Sequence, residues 1–274
     1  MDREVENFLS SFRYAQSTKE SYKRILEQLV GLPDLEHLDA AGLIDFVNQP
    51  GWGNSQQSVA IFCAQKFLRW RFGSLHPALG ARIKRVKPKP RRYLDPNKAL
   101  DVLASFDPYK PSGARDLAIV AFGLDTGFRR KELCMMQLAD VDFYSNTAVG
   151  LCKGEQFGYG AFSSQTAAIL QDWLRFRKPA DGVGNLFINV RTGKALTGDG
   201  MNCIFKRLSK RLGFKISAHD LRSSFATLVT IFGAPSRIGQ EAGRWSSIEQ
   251  FEHYTGNLRF DAIRPHLPVA NLLK

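Results

Sequence analysis

Cysteine is scarce. The chain has 4 in 274 residues, at positions 63, 134, 152 and 203. No two of them form a CxxC pair, and none stands at zinc-finger spacing from a histidine. A disulfide framework and a structural zinc site are disfavoured, and the bland reading, small buried hydrophobes in a reducing compartment, is preferred. Long apolar runs are missing too, and the N-terminal MDREVENFLS lacks the basic-then-apolar build of a signal peptide. The expectation is a cytosolic chain that does not enter a membrane. Internal repeats and low-complexity tracts are absent. Acidic residues are the minority, 26 against 38 Lys and Arg, for a net charge of +12. Such an excess favours a polyanionic partner, and with the membrane disfavoured that partner is nucleic acid. No cofactor and no metal are expected.

What is present suffices for two cores: 44% of the residues are hydrophobic. One compositional break stands out, RIKRVKPKPRR at 82–92. Pro88 and Pro90 discourage helix and the charges discourage burial, so 82–93 reads as a basic linker between a domain at 1–81 and another at 94–274. The first domain reads as helical. Ser17 with Glu20 fits a capping box, and Tyr22, Ile25, Leu26 and Leu29 follow at helical spacing. Leu43, Ile44, Phe46 and Val47 form a second apolar cluster. A helix over 57–72 is predicted to carry Val59, Phe62, Cys63, Phe67 and Trp70 on one face. Its Lys66, Arg69 and Arg71 are either a solvated face or phosphate contacts. Followed directly by Arg85, Lys87, Lys89, Arg91 and Arg92, the two readings stand level.

The second domain is predicted to hold helices over 95–106, 113–125, 130–138, 165–176, 198–212 and 218–232, with later ones at 249–254 and in the tail. In 218–232, Leu221, Phe225, Leu228, Val229 and Phe232 are the expected core stripe. The stretch 148–162, rich in glycine and aromatics without helical period, reads as a small β-ribbon. The fold class is therefore mainly α with a small β-sheet: an N-terminal helical domain and a C-terminal mixed α/β domain.

Four short segments carry chemistry. His219 and Arg222, in AHDLR, share a helix face at the rim of the core stripe. By themselves they read more readily as a capping His and a surface Arg. Arg129, in TGFRRKEL, follows a Gly-containing turn between two apolar helices, from which a guanidinium can be directed inward. Arg130 and Lys131 read as surface charge. Lys153, on the ribbon, says almost nothing alone. Trp245, in GRWSS, stands nine residues before Tyr254, and a helical Tyr is ordinarily a core or rim residue.

Together their order resembles the tyrosine recombinases, also called the phage integrases. TGFRRKEL is similar to that family's T-G-L-R-I-S-E-L, HDLRSSFAT at 219–227 to its H-x-L-R-H-S-F-A-T, and AGRWSS with Tyr254 to its L-G-H-S-S followed by the nucleophilic Tyr. Trp245 would be a case of Trp replacing the family's His. The resemblance covers 94 to about 254, and 1 to about 90 more loosely resembles the family's core-binding domain. It implies a site-specific recombinase acting on double-stranded DNA, with four protomers assembled on it; the high positive charge predicts that the free protein is mainly monomeric. Arg129 and Arg222 would clamp the scissile phosphate and Lys153 would protonate the departing 5′ oxygen. His219 would act as acid or base near the phenol. Trp245 would donate its indole N–H to the phosphate, and Tyr254 would attack, leaving a 3′-phosphotyrosyl link. The stretch after Lys153 lacks the second Lys and Arg often found in the family. His253 reads as a neighbour pointing elsewhere. The apolar tail with Leu267, Val269, Leu272 and Leu273 is expected to dock on a neighbouring protomer or on its own domain. A type IB topoisomerase and a non-catalytic DNA-binding module are the competing functions.

Overall fold

The computed structural model describes residues 2–84, 91–151 and 156–255. The chain divides into two compact units, Met1–Pro88 and Lys89–Lys274.

The first unit is helical: α1 Asp2–Ser10, α2 Gln16–Val30, α3 Ala40–Val47 and α4 Asn54–Phe72. Tyr22, Ile25, Leu26 and Leu29 of α2 are buried, as are Leu43, Phe46 and Val47 of α3. Two local expectations are corrected. The Ser17–Glu20 capping box is not formed, because α2 starts earlier, with Ala15 at its N-cap. Glu20 instead accepts a hydrogen bond from Gln16 Nε2 (3.2 Å). On α4 the buried face is Ala60, Ile61, Cys63, Ala64, Phe67 and Leu68, while Val59, Phe62 and Trp70 are exposed. The alanines were passed over because they are small, yet a small residue is what lets two helices approach closely. The ring of Trp70 still meets Phe8 edge-on at 5.6 Å.

The second unit carries α5 Pro96–Ala104, α6 Pro111–Thr126, α7 Arg130–Met135, α8 Ser164–Phe176, α9 Gly198–Leu212, α10 Ala218–Ile231, α11 Ser236–Ala242 and α12 Ile248–Thr255. Side-chain caps explain several starts: Asp95 on Lys98 N–H, Ser163 on Thr166 N–H, Thr197 on Gly200 N–H, and a capping box of Ser217 with Asp220. The expected ribbon is part of a three-stranded antiparallel sheet, β1 Val141–Asp142, β2 Thr147–Leu151 and β3 Phe157–Ala161, in that order. β1, only two residues long, has no period to read. The inward positions of the ribbon include Gly150 and Gly160. A Cβ on either would lie within 3 Å of the Phe128 ring, so the glycines make the floor on which Phe128 sits. The core stripe of α10 is shorter than expected: Leu221, Phe225 and Leu228 are buried, Val229 is half-buried, and Phe232, just past the helix end, is 73% exposed. α11 was not anticipated, since seven residues are too few to show a period.

Candidate active site

α10 sets the depth of the site. In its first turn Ala218, Asp220 and Leu221 are buried and His219 alone keeps an edge open to solvent, while Arg222, one turn on, is 1% exposed. The two therefore do not share the rim position expected for both. Arg222 Nη1 donates to the carbonyl of Gly127 at 2.7 Å, and its guanidinium carbon lies 4.0 Å from the centre of the Trp245 ring. Nη2 is buried with no hydrogen-bond partner among the described residues. A buried, charged donor left unpaired costs free energy unless a ligand meets it. Burial, and then the nearby Arg129 and Arg244, push the Arg222 guanidinium down to about 10, which leaves it charged at neutral pH.

Arg129 caps α7. Gly127, at φ +60°, ends α6 in the left-handed conformation and turns the chain so that Phe128 enters the core and Arg129 does not. Glu132, itself buried, accepts from the Arg129 backbone N–H (2.7 Å) and from Nη1 (2.9 Å). Arg129 is thus held half-exposed. Arg130 and Lys131 are exposed, and Arg130 reaches Asn202 Oδ1 at 2.7 Å.

Trp245 and Tyr254 come from the loop after α11 and from α12. The Trp245 ring is stacked on Phe225 (6.2 Å, 11°) and meets Phe251 edge-on at 5.3 Å. Its backbone N–H donates to the Gln240 carbonyl, and its own carbonyl accepts from Gln240 Nε2, both at 3.0 Å. The Tyr254 ring is half-buried, 5.2 Å from Trp245 and 6.4 Å from His219 between centres. The Tyr254 carbonyl accepts from Thr227 Oγ1 of α10 at 3.2 Å, tying the two helices together.

Arg244 was missed as a site residue. It adopts φ +59°, unusual for a side chain of its size. Its guanidinium donates to the carbonyls of Tyr159 and Thr126, and stacks 4.1 Å from the Phe128 ring centre. It fastens the Trp245 loop to β3 and to the end of α6. Gly243 before it has no freedom to be anything else: a Cβ there would fall 1.6 Å from a Trp245 ring carbon. Gly243→Ala is expected to lower stability by about 1–3 kcal/mol, the usual cost of overpacking. The check is a lower urea midpoint with an unchanged denaturant slope.

Arg91, Arg129, His219, Arg222, Trp245 and Tyr254 line one open pocket of about 420 Å³, with Glu249, Gln250 and His253 at its edge. His253 does not point elsewhere, as expected of it; it is exposed and borders the same pocket, 6.1 Å from the Tyr254 ring. Adjacent helical side chains diverge, but the pocket is wide enough to be bordered by both. Arg91 hydrogen-bonds the Nε2 atom of His219 and its guanidinium carbon lies 5.1 Å from the Tyr254 ring centre. Partial burial first, and then the charge of Arg91, hold His219 below the ordinary histidine range, so it is neutral at pH 7; Arg222 and Arg129 push the same way and Asp220 opposes them.

Of the other charges singled out, Arg92 lies 3.6 Å from Asp220 Oδ2. In the first unit Lys66 sits over Phe12 (4.0 Å) and Tyr14 (4.8 Å), and Arg71 pairs with Glu4 (3.1 Å). Arg69 is exposed. Lys153, Arg85, Lys87, Lys89 and the tail with Leu267, Val269, Leu272 and Leu273 lie outside the described residues. Among the described residues no group of His, Cys, Asp and Glu could hold a metal ion, and no helix is long and apolar enough to cross a membrane. The pocket thus offers guanidinium donors, one of them unpaired, beside a phenol: a place for a phosphate and a nucleophile next to it.

Residues 92–259 match the profile of the phage integrase family, and the chain belongs to that family. It is 27% identical over 248 residues to tyrosine recombinase XerD of Listeria monocytogenes serovar 1/2a, covering 86% of this chain and 82% of that protein. Tyrosine recombinase XerC of Pelotomaculum thermopropionicum is 24% identical, with 92% of this chain and 94% of that one covered. Among solved structures, the Tn1549 transposon integrase in complex with transposon right end DNA has the same fold at a TM-score of 0.79, with 16% identity and 97% of each chain covered. A lambda integrase dimer bound to a core site gives 0.73, with 17% identity, 91% of this chain and 92% of that one covered.

Proposed function

We propose that this protein is a site-specific DNA recombinase that cuts and rejoins double-stranded DNA through a 3′-phosphotyrosyl intermediate. The observation that carries the reading is the buried Nη2 of Arg222, without a partner among the described residues in a pocket that Tyr254 also lines. A DNA phosphate oxygen supplies both the missing acceptor and the missing counter-charge. Arg129 and Arg222 clamp the scissile phosphate, and Trp245 presents its indole N–H to a phosphate oxygen. Tyr254 attacks in line, and Lys153 gives the 5′ oxygen its proton. The ester to tyrosine conserves the energy of the broken phosphodiester, so rejoining needs no nucleotide. The recombinase reading is preferred to a type IB topoisomerase because the relatives matched over most of their length are recombinases. The test is incubation with candidate attachment-site DNA carrying a nick that lets the freed strand diffuse away. A covalent adduct at a DNA 3′ end supports the reading; no adduct with any site that the protein binds specifically overturns it.

In this reading residues 1–81 are a DNA-binding domain, 82–93 a basic linker and 94–274 the catalytic domain. Arg69 meets phosphate from α4, with Lys66 and Arg71 adding charge to the same helix. Four protomers assemble on two duplexes, the free protein is monomeric because its positive charge is self-repelling, and the enzyme works in the cytoplasm on DNA. Changing Arg85, Lys87 and Lys89 together to Ala is expected to weaken binding to all DNA sequences alike. The slope of log affinity against log salt should become shallower by up to about 3, and a loss confined to one target sequence would mean that the linker reads bases.

A further inference from the structure

Arg91 has no counterpart among the catalytic positions of the resemblance, and by sequence it counts only as one more linker charge. In the structure it touches two members of the site: Nε2 of His219 and the face of Tyr254. A guanidinium has donors and no acceptor. The ring nitrogen that faces it must therefore accept, and a neutral imidazole with one accepting nitrogen carries its proton on the other.

We propose that Arg91 is a positioning residue of the catalytic site: it holds His219 as the neutral tautomer with the proton on Nδ1, so that His219 serves the reaction as a hydrogen-bond donor and not as the base that takes the proton of Tyr254. This rests on the reading of Tyr254 as nucleophile, and it decides between the acid and base roles that the family resemblance leaves open. The lone pair of Nε2 is occupied by Arg91, so the polar group His219 has left to offer is Nδ1–H. The phenol proton then passes to water at the open mouth of the pocket as the oxygen forms its bond to phosphorus.

The electrostatics agree with the geometry. Three cations surround His219: Arg91 from the segment before α5, Arg129 from the N-cap of α7, and Arg222 from its own helix. Among the described residues Asp220 is the acid acting against them, and its carboxylate is already engaged by Ser217 and approached by Arg92. Tyr254, from α12, completes the surroundings. A second proton on the imidazole would point an N–H at the guanidinium of Arg91, so protonation and the Arg91 contact exclude each other.

The test uses full-length protein. Long-range proton–nitrogen spectra of 15N-histidine-labelled protein, free of DNA, should show His219 protonated on Nδ1 and titrating below the ordinary histidine range. In Arg91→Ala the titration should move up, since a neighbouring cation has gone and the ring has lost its fixed partner. Arg91 is exposed, so the variant keeps its fold. At saturating nicked-site DNA, the first-order rate of adduct formation should fall about tenfold or more in Arg91→Ala. Lys98→Ala, which removes an equal charge from the exposed surface of α5, should leave that rate as it is. A His219 protonated on Nε2 in the wild type, an unmoved titration in Arg91→Ala, or an unchanged rate at saturating DNA overturns the proposal. A wild-type protein that forms no adduct strikes the reading of Tyr254 instead, and the spectra still decide the role of Arg91.

Discussion

Tyr254→Phe is expected to abolish the covalent protein–DNA adduct while leaving duplex affinity within about twofold. The substitution removes one oxygen. The ring that packs 5.2 Å from Trp245 stays, and so does the backbone carbonyl that accepts from Thr227. α12 therefore keeps its place beside α10, and the guanidiniums proposed to meet phosphate are untouched. Loss of a nucleophile removes the covalent route altogether, and comparable deletions cost on the order of a millionfold. The measurement is adduct formation on nicked site DNA, with affinity followed in parallel. If an adduct persists, the nucleophile lies elsewhere, and digestion of the adduct identifies the peptide. Tyr159 is the next candidate by sequence, but its side chain is on the exposed face of β3, it does not line the pocket with Arg129 and Arg222, and its backbone carbonyl is taken by Arg244.

The segments that meet in the pocket were readable because their residue types are improbable together and their spacing is local. His219 and Arg222 are three apart, and Trp245 and Tyr254 are nine apart. Arg91 was not readable as part of the site, because it meets His219 across 128 residues of chain and composition assigned it to a linker. Arg244 was hidden for another reason: it serves through its backbone conformation and through carbonyls, neither of which has a sequence signature. Long helices such as α9 announce themselves by period and by a terminal glycine, here Gly213 at φ +74°. Faces are harder than lengths. Val59, Phe62 and Trp70 look like the core of α4 on hydrophobicity alone, yet Ala60 and Ala64 are the residues inside, since burial rewards the fit between two surfaces and not size. The glycines of β2 and β3 could be counted but not explained until Phe128 was seen lying across them.

Arg222 is where stability and activity should separate. Its guanidinium is nine-tenths or more buried, has no carboxylate partner in an ion pair among the described residues, and is pushed down to about 10. A base whose folded value lies below its unfolded one binds its proton less tightly in the native state. Stability therefore rises as pH climbs through about 10 toward the unfolded value, and at neutral pH the buried charge costs the fold on the order of 3 kcal/mol. Arg222→Met removes that cost and fills most of the same volume, but it strips the Gly127 carbonyl of its donor, a loss of about 1–3 kcal/mol. The two nearly offset, so the DNA-free variant should melt within a few degrees of the wild type. Cleavage should nonetheless fall about a thousandfold, as expected for one preorganised donor to a developing charge. The added stability that site DNA confers on the wild type should shrink, because the phosphate no longer relieves an unpaired cation. Arg222→Lys should fare little better in cleavage, since an ammonium cannot hold the Gly127 carbonyl and a phosphate oxygen in one planar fork. A Lys variant that cleaves at nearly the full rate would remove Arg222 from the phosphate clamp. A Met variant that unfolds would make Arg222 a structural residue first.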